Sequence, residues 1–314
     1  MSGEEWVLAG PATALAQLEP LIEVHRRYRK VRLLRGLEGI GACLKGAAAV
    51  LIVAARSTSP RRAFSGIFLQ SPDGRQVPVG WLPAARQRLP AYAAAAAAVQ
   101  ERRHGLGPIV VLAELDPRAL TLADRIIATL PGDIASFNWS SQRISRLNLI
   151  DALGCGPGVA LYVGHGFAGG WAGYGGFGCD AIAEVAGEPM GALLSICCSA
   201  ASRPRGGASF CEEAVLSGAC GAALGASGPT LHAGNAALSL VLAELIAERR
   251  VTNLADLLLA AAERTPVLHR YRIFGDPLTP LAGAVRCEAA ARGVLAPGPD
   301  DELPVIPLSA WMGA

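Results

Sequence analysis

The chain has 314 residues, in which 28 lysines and arginines are almost balanced by 26 aspartates and glutamates. Only 17% of the residues are charged and 52% are apolar, which excludes an intrinsically disordered or acidic solvating protein. The small net charge argues against a dedicated nucleic-acid-binding protein, since such proteins are usually strongly basic. At about 150 residues per domain, the length predicts two domains, or one large α/β unit with a companion lobe.

The sequence shows no targeting or membrane-spanning signal. The first five residues, MSGEE, are acidic and lack the positive region and apolar core of a signal peptide. The longest apolar stretches, at residues 47–55 and 91–99, are too short to span a bilayer. We therefore expect a cytoplasmic protein without membrane contacts, whose eight cysteines are mainly reduced. Because the cysteines form no C-x-x-C pair, their spacing predicts no metal site.

In the first part of the chain, short apolar runs alternate with helical stretches. Residues between 64 and 81 alternate in polarity around Asp73-Gly74, which predicts a β-hairpin inserted into this pattern. Runs rich in Val, Ile and Leu predict strands at residues 6–9, 31–34, 48–53 and 109–112. Helices are predicted at residues 13–28, with an interruption at Pro20, at 90–103 and at 122–130.

The second half repeats this alternation of strands and helices. Strands are predicted at residues 159–163, 192–196 and 222–226, and helices at 142–153, 210–217, 236–249 and 254–263. Buried strands separated by helices are typical of a mostly parallel sheet with right-handed crossovers. The prolines that follow Cys287 predict an irregular tail at residues 287–314.

Two of the best-defined strands end in reactive side chains. The strand at 159–163 runs into Gly164-His165-Gly166, and the strand at 192–196 runs into Cys197-Cys198. Ligands of open parallel sheets bind at the carboxyl ends of the strands, and neighbouring strands lie about 4.8 Å apart. If the two strands are adjacent, an imidazole and a thiol emerge side by side, as cysteine nucleophiles require. The glycines beside His165 allow a tight turn in which a backbone N–H faces a substrate carbonyl.

These residues belong to an ordered set of motifs. LYVGHG at 161–166 is followed by WA at 171–172, and LSICC at 194–198 is an apolar strand that ends in cysteine. A helix with FCEEAV at 210–215, a glycine- and alanine-rich strand at 221–227 and FGDP at 274–277 come next. The set resembles, over roughly residues 142–281, the gingipain-type cysteine peptidases of the caspase-like (caspase–hemoglobinase) fold.

The resemblance implies a three-layer α/β/α fold with a mostly parallel sheet. It implies a catalytic domain at residues 136–286, preceded by a smaller α/β subdomain at residues 1–135. It also implies a cysteine endopeptidase that hydrolyses peptide bonds of a protein or peptide substrate through a thioester intermediate, with no cofactor.

The resemblance also implies catalytic roles for individual residues. Cys198 would be the nucleophile, His165 the imidazole that protonates the leaving amine, and the N–H groups of Gly166 and Cys198 the oxyanion hole. Cys197 is the alternative nucleophile, although gingipains place a small residue at that position. Because side chains alternate along a strand, only one of the two cysteines can face His165. Asp116 is a candidate for orienting the imidazole, or else a helix cap before Pro117.

The substrate-binding residues are predicted from the loops at the same strand ends. The glycine-rich loop at 167–178, with Trp171, should border the cleft, and Ser227 should face it from the next strand end. His232, in the same segment, is a candidate substrate contact or else an exposed loop histidine. Gingipains bind a basic P1 side chain in an acidic pocket. No acidic residue of this chain matches that position. The acidic residues closest in sequence to the predicted site fit helix N-termini instead: Asp180, Glu212 and Glu213.

Two other functions fit the same residues. The absence of a matching P1 acid, and Ser199-Ala200-Ala201 where the family often has a glycine, favour an inactive caspase-fold binding or scaffolding protein. The same dyad would also serve an amidase or acyltransferase that acts on a small substrate.

Overall fold

The structure of the chain is a computed structural model that describes residues 5–55, 66–204 and 207–281. The tail predicted at residues 287–314, Cys287 and the first two residues of the predicted hairpin lie outside these ranges. Within the described ranges, no helix combines the length and the apolar character of a membrane span.

Most strands of the described chain belong to one large sheet. They are β1 (Glu5–Gly10), β2 (Lys30–Arg35), β3 (Ala47–Ala54), β4 (Phe68–Gln70), β5 (Gln76–Pro83), β6 (Ile109–Ala113), β7 (Ser136–Asn138), β8 (Val159–Val163), β12 (Met190–Ile196), β13 (Cys220–Ala226) and β14 (Tyr271–Gly275). A small separate sheet contains β9 (Gly166–Phe167), β10 (Gly170–Trp171) and β11 (Phe177–Gly178). The order in the large sheet is β2-β1-β3-β5-β14-β13-β12-β8-β6-β7, and β4 pairs with β5.

Helices cover both faces of the large sheet. They are α1 (Ala12–Gln17), α2 (Glu19–Arg26), α3 (Ile40–Cys43), α4 (Leu89–Glu101), α5 (Pro117–Thr129), α6 (Arg146–Leu153), α7 (Cys179–Glu184), α8 (Phe210–Leu216), α9 (His232–Ala247) and α10 (Leu254–Arg264). A helical turn lies at Gly173–Gly176 and a 3₁₀ helix at Pro266–Arg270.

Two hydrophobic cores lie on opposite faces of the sheet. Val110 and Leu112 of β6 pack into the core that contains α4, α6 and α8. Ile109 and Val111 of the same strand pack into the core that contains α5, α9 and α10. This alternation follows from the two-residue period of a strand. The predicted three-layer α/β/α fold with a mostly parallel sheet is confirmed.

The large sheet consists of two halves that run in opposite directions. The strands β2, β1, β3, β5 and β14 are parallel to one another, and so are β13, β12, β8, β6 and β7. The halves meet where β14 pairs antiparallel with β13, with Ile273 opposite Leu224. The last described strand of the chain therefore belongs to the half built mainly from the first 83 residues.

The helix predicted at residues 13–28 is interrupted next to Pro20, as predicted. α1 ends at Gln17, and α2 begins at Glu19 with Pro20 in its first turn. A proline is tolerated there because the first N–H groups of a helix have no intrahelical partner.

The predicted hairpin is present, but its second strand has a larger role than predicted. β4 and β5 pair antiparallel, and Gly74 in the turn has φ +82°. However, β5 also pairs with β3 on one side and β14 on the other, so it is an interior strand of the sheet rather than an insertion.

The strands β7 and β14 and the small sheet β9–β11 were not predicted from the sequence. These strands are short, and their residues SFN, YRIFG, GF, GW and FG carry little apolar alternation. The domain boundary predicted at residue 135 stays a prediction. Two sets of backbone pairings cross it, because β6 pairs with β8 and β14 pairs with β5.

Candidate active site

Four neighbouring parallel strands end at one edge of the sheet. In their order across the sheet these are β6, β8, β12 and β13. Ala113 of β6 lies opposite Val163 of β8, and Val163 lies opposite Ile196 of β12. The residues that follow these positions, Glu114, Gly164-His165 and Cys197-Cys198, therefore lie side by side at this edge.

The backbone of His165 is held on both sides while its side chain is exposed. Its N–H donates to Glu114 Oε2 at 2.6 Å. Its carbonyl oxygen accepts from the Tyr162 hydroxyl at 2.9 Å and from the N–H of Ala172 at 3.1 Å. The preceding residue, Gly164, has φ +152°, which a residue with a side chain rarely adopts. The turn is thus fixed by its backbone, and the imidazole faces solvent.

The two adjacent cysteines have different surroundings. Cys197 is fully buried, and this burial raises the pKa of its thiol well above the ordinary value. Cys198 is partly exposed. Its Sγ accepts from the N–H of Thr230 at 3.4 Å and lies 3.5 Å from Thr230 Oγ1. Of the two thiols, only that of Cys198 is accessible to a substrate.

Gly166 brings the His165 turn against the two cysteines. A Cβ atom at Gly166 would overlap Cys197 Sγ and would lie 2.9 Å from the carbonyl oxygen of Cys198. Only a glycine allows this close approach of two backbone segments. The Gly166 and Cys198 backbones are therefore neighbours, as an oxyanion hole shared between them requires.

Behind Cys198, a chain of hydrogen bonds leads into the protein. The buried Tyr271 hydroxyl donates to Asn235 Oδ1 at 2.8 Å, and Asn235 Nδ2 donates to Thr230 Oγ1 at 2.9 Å. Because Thr230 Oγ1 accepts from Asn235, its own hydroxyl proton can be donated to Cys198 Sγ. We refer to Tyr271, Asn235 and Thr230 as the Thr230 chain.

The prediction that Trp171 contacts substrate is wrong. Its side chain is fully buried, and its indole N–H donates to Ser195 Oγ at 3.0 Å. The ring stacks on Tyr162, with centroids 4.4 Å apart, and packs against Phe177. The small sheet folds back onto the core and places this large apolar ring inside it. The surrounding loop borders a cavity of about 570 Å³, which is lined by Phe167 and several glycines and not by His165 or Cys198.

Ser227 and His232 both lie in the segment that follows β13. Ser227 is held at the neighbouring 3₁₀ helix, since its N–H and its hydroxyl both donate to the carbonyl oxygen of Arg270, at 2.8 and 3.1 Å. His232 is exposed at the start of α9 and lines a second cavity. The residue of this segment that contacts the Cys198 sulfur is Thr230.

The acidic residues near the strand ends mostly stabilise helix starts. Asp116 caps α5 by accepting from the N–H groups of Arg118 and Ala119, which is the second of the two roles predicted for it. Glu212 forms a capping box with Ser209. Glu213 pairs with Arg88, and Asp180 pairs with Arg146.

Two residues of this site were not found from the sequence. Glu114 follows β6 directly, and a polar residue at a strand end is a signal for a site residue. Using this signal requires knowing that β6 lies beside β8. Thr230 comes four residues after β13 and carries no sequence signal of its own. Among the described residues, no cluster of His, Cys, Asp and Glu has an arrangement that could hold a metal ion.

Comparison with known proteins identifies the family. The model of peptidase family C25 matches residues 120–282, which is more than half of the chain. A comparison with curated proteins gives no match.

Solved structures show the same fold at low sequence identity. The Arg-specific cysteine proteinase gingipain R is 14% identical with a TM-score of 0.71, and the match covers 89% of this chain and 78% of that one. The complex of the RgpB pro- and mature domains from Porphyromonas gingivalis is 14% identical with a TM-score of 0.67, and the match covers 88% of this chain and 79% of that one. The chain therefore belongs to peptidase family C25, the gingipain family, and is a cysteine peptidase of the caspase-like fold.

Proposed function

We propose that the chain is an endopeptidase that cleaves peptide bonds with a dyad of Cys198 and His165. The observation that carries this proposal is the shared strand edge. The adjacent strands β8 and β12 lead directly to an exposed imidazole and a partly exposed thiol, while the neighbouring Cys197 is buried. Cysteine peptidases need this pair, because the thiolate is the nucleophile and the imidazole transfers protons.

In the proposed reaction, the Cys198 thiol gives its proton to His165, and Cys198 Sγ attacks the carbonyl carbon of the scissile peptide bond. The C–N bond then breaks, the departing nitrogen takes a proton from His165, and a thioester remains on Cys198. Water next attacks the thioester carbon and gives a proton to His165. The C–S bond breaks, so that the carboxylic acid product leaves and the thiol–imidazole pair is restored.

The negative oxygen of both tetrahedral intermediates would be stabilised by the N–H groups of Gly166 and Cys198. The close approach of these two backbones supports this role. One such donor typically contributes a factor of about 10²–10³ to kcat.

Glu114 would act as a positioning residue. It does so through the backbone of His165, since Oε2 accepts from that N–H at 2.6 Å. This charge-assisted bond, together with the bonds from Tyr162 and Ala172 to the His165 carbonyl, fixes the turn that presents the imidazole.

The adjacent cysteines allow a direct test. Cys198→Ala and Cys197→Ala are compared for cleavage of a denatured protein substrate and for labelling by a thiol-directed peptide probe. We expect Cys198→Ala to lose about a thousandfold or more in cleavage rate and all labelling, because the nucleophile is gone. Cys197→Ala should keep activity within about tenfold, because it removes only one buried sulfur.

Circular dichroism and thermal unfolding check that both variants fold. A folded Cys198→Ala variant that still cleaves would refute the dyad. A wild-type protein that cleaves nothing, with Cys198 no more reactive than an ordinary thiol, would favour the binding or scaffolding alternative. Turnover of small amides or esters without cleavage of peptides would favour the amidase alternative.

A further inference from the structure

A second cavity, of about 360 Å³, lies between the start of α5 and the start of α9. Its walls include Arg118, Thr121 and Arg125 of α5, and His232 and Ala236 of α9. This volume lies within the range of small-ligand pockets, so the cavity fits a side chain rather than a folded partner. We refer to it as the α5–α9 cavity.

The α5–α9 cavity adjoins the residues that hold the dyad. Pro117, which lines it, comes three residues after Glu114, and Glu114 binds the backbone of His165. His232 comes two residues after Thr230, which contacts Cys198 Sγ. The two segments that position the imidazole and the thiol therefore continue directly into the cavity walls. Each wall of the cavity thus begins within three residues, along the chain, of a residue that contacts His165 or Cys198.

The charged residues that line this cavity are arginines. The residues that line it include two arginines and a histidine, and no carboxylate. Within the part of the chain that the structure describes, neither Arg118 nor Arg125 forms an ion pair, whereas Arg88 and Arg146 are each paired with a carboxylate. Unpaired guanidinium groups in a depression are a typical binding site for carboxylates.

The neighbouring carboxylates lie outside the cavity lining, and each accepts a hydrogen bond from another group. Asp116 is engaged by two N–H groups at the start of α5, and Glu114 by the N–H of His165. Asp124 accepts from Asn138, which lies on β7. Arg270, whose guanidinium donates to the carbonyl oxygen of Pro229, adds a further cation beside this segment.

We infer that the α5–α9 cavity is the subsite for the residue on the acyl side of the scissile bond, and that it selects aspartate or glutamate there. The inference rests on the proposed function, because it assigns a substrate preference to the same dyad. It also accounts for the lack of an acidic residue that would recognise a basic side chain.

The test separates binding from cleavage. Short blocked peptides that differ only at this residue (Asp, Glu, Asn, Gln, Arg or Lys) carry a fluorophore, and their binding to the Cys198→Ala variant is measured by anisotropy. We expect Asp and Glu peptides to bind about tenfold more tightly than their Asn and Gln isosteres, since a charge-assisted bond is lost in the amides. In the active enzyme, kcat/KM should show the same preference.

Charge reversal in the cavity should remove this preference. The double variant Arg118→Glu/Arg125→Glu, built with and without Cys198→Ala, should bind acidic peptides no better than their amide isosteres. The matched control is Arg250→Glu, an exposed arginine beyond the opposite end of α9, which should keep the preference.

Each contrary result has a distinct meaning. Equal binding of acidic and amide peptides, tighter binding of Arg or Lys peptides, or an acidic preference that survives the double variant would overturn the subsite. If Arg250→Glu also removes the preference for acidic peptides, that preference comes from long-range attraction, and the subsite would again be refuted. If the proposed dyad itself is wrong, a different result shows it, because cleavage then persists in Cys198→Ala.

Discussion

Cys197 and Cys198 show how much one position along a strand changes the chemistry of the same side chain. Burial raises the pKa of Cys197, so it remains a neutral thiol at physiological pH and serves as a small core side chain. Cys198 is partly exposed, and its sulfur faces an N–H donor from Thr230. The alternation of side chains along a strand thus supports one nucleophile in a pair of cysteines.

Gly166 offers the sharpest prediction at the residue scale. In Gly166→Ala, the added methyl group would lie 2.9 Å from the Cys198 carbonyl oxygen and would overlap the sulfur of Cys197. The Cys198 oxygen is a backbone atom, and Cys197 is fully buried, so the Gly166 and Cys198 backbones must separate. We expect kcat/KM for a peptide substrate to fall by about a hundredfold, since an oxyanion donor is displaced.

Gly41→Ala is the matched control for this change, because no atom lies within 4 Å of a Cβ at Gly41. It should leave kcat/KM unchanged. If Gly166→Ala keeps wild-type activity with an intact thermal transition, the oxyanion hole does not include this backbone.

At the scale of secondary-structure elements, the Thr230 chain connects three parts of the fold to the nucleophile. Tyr271 begins β14, Asn235 lies in the first turns of α9, and Thr230 lies in the loop between β13 and α9. The Tyr271 hydroxyl donates to Asn235, and Asn235 donates to Thr230 Oγ1. In the last contact, between Thr230 Oγ1 and Cys198 Sγ, either group can be the donor. A connected network of hydrogen bonds of this kind favours one geometry.

Replacing Asn235 should therefore affect both stability and the reactivity of Cys198. In Asn235→Leu, Tyr271 and Thr230 lose their shared partner, and two hydroxyl groups are left without it. We expect the free energy of unfolding, measured in urea, to fall by about 1–3 kcal/mol. We also expect Cys198 to react with iodoacetamide severalfold more slowly, because the Thr230 hydroxyl is no longer oriented toward the sulfur.

Ser239→Ala separates these two effects. Ser239 lies one turn further along α9 and is buried, and its hydroxyl donates to the backbone carbonyl of Asn235 at 2.9 Å. This variant should lose about 1 kcal/mol of stability without changing the alkylation rate. Equal slowing of alkylation in both variants would show that the Thr230 chain has no specific role.

The elements that could be predicted from the sequence are those whose pattern is local. Uniformly apolar runs predicted β3, β6, β8 and β12, and Pro20 predicted the break between α1 and α2. The residues that follow β8 and β12 predicted His165 and Cys198 at one edge of the sheet. Pairings between distant segments could not be predicted in this way. The contact of Thr230 with Cys198 and the burial of Trp171 both depend on how loops fold back onto the sheet.

At the scale of the whole molecule, a buried carboxylate connects β14, the strand at the junction of the two halves of the sheet, to two helices. Asp276, which follows β14, is fully buried together with His25 of α2. His25 Nε2 donates to Asp276 Oδ2 at 2.8 Å, and Gln100 of α4 donates to the same oxygen at 2.7 Å. The N–H of Leu278 donates to the other oxygen. One carboxylate thus connects two helices to the strand at the junction of the halves.

Burial alone would raise the pKa of Asp276, but the attraction and the hydrogen bond of His25 outweigh it and hold this pKa below its ordinary value of 3.8. A carboxylate with a lower pKa in the folded state than in the unfolded state contributes its full stabilisation when the pH is above the pKa of the unfolded state. This stabilisation is lost as the pH falls through the folded value. The contribution of Asp276 should therefore be complete near neutrality and decline only below about pH 3.8.

Asp276→Asn tests this role of the carboxylate. Removing one partner of a buried pair leaves the other without compensation, so we expect the variant to lose about 3 kcal/mol of unfolding free energy at about pH 6. At about pH 2.5, below the ordinary pKa of 3.8, the carboxylate of the unfolded chain is protonated, and the difference from the variant should shrink. Asp133→Asn, which removes an exposed ion pair with Arg249, should cost less than about 1 kcal/mol at both pH values. A difference between wild type and Asp276→Asn that is the same at both pH values would mean that the charge of this carboxylate does not hold α2 and α4 to β14.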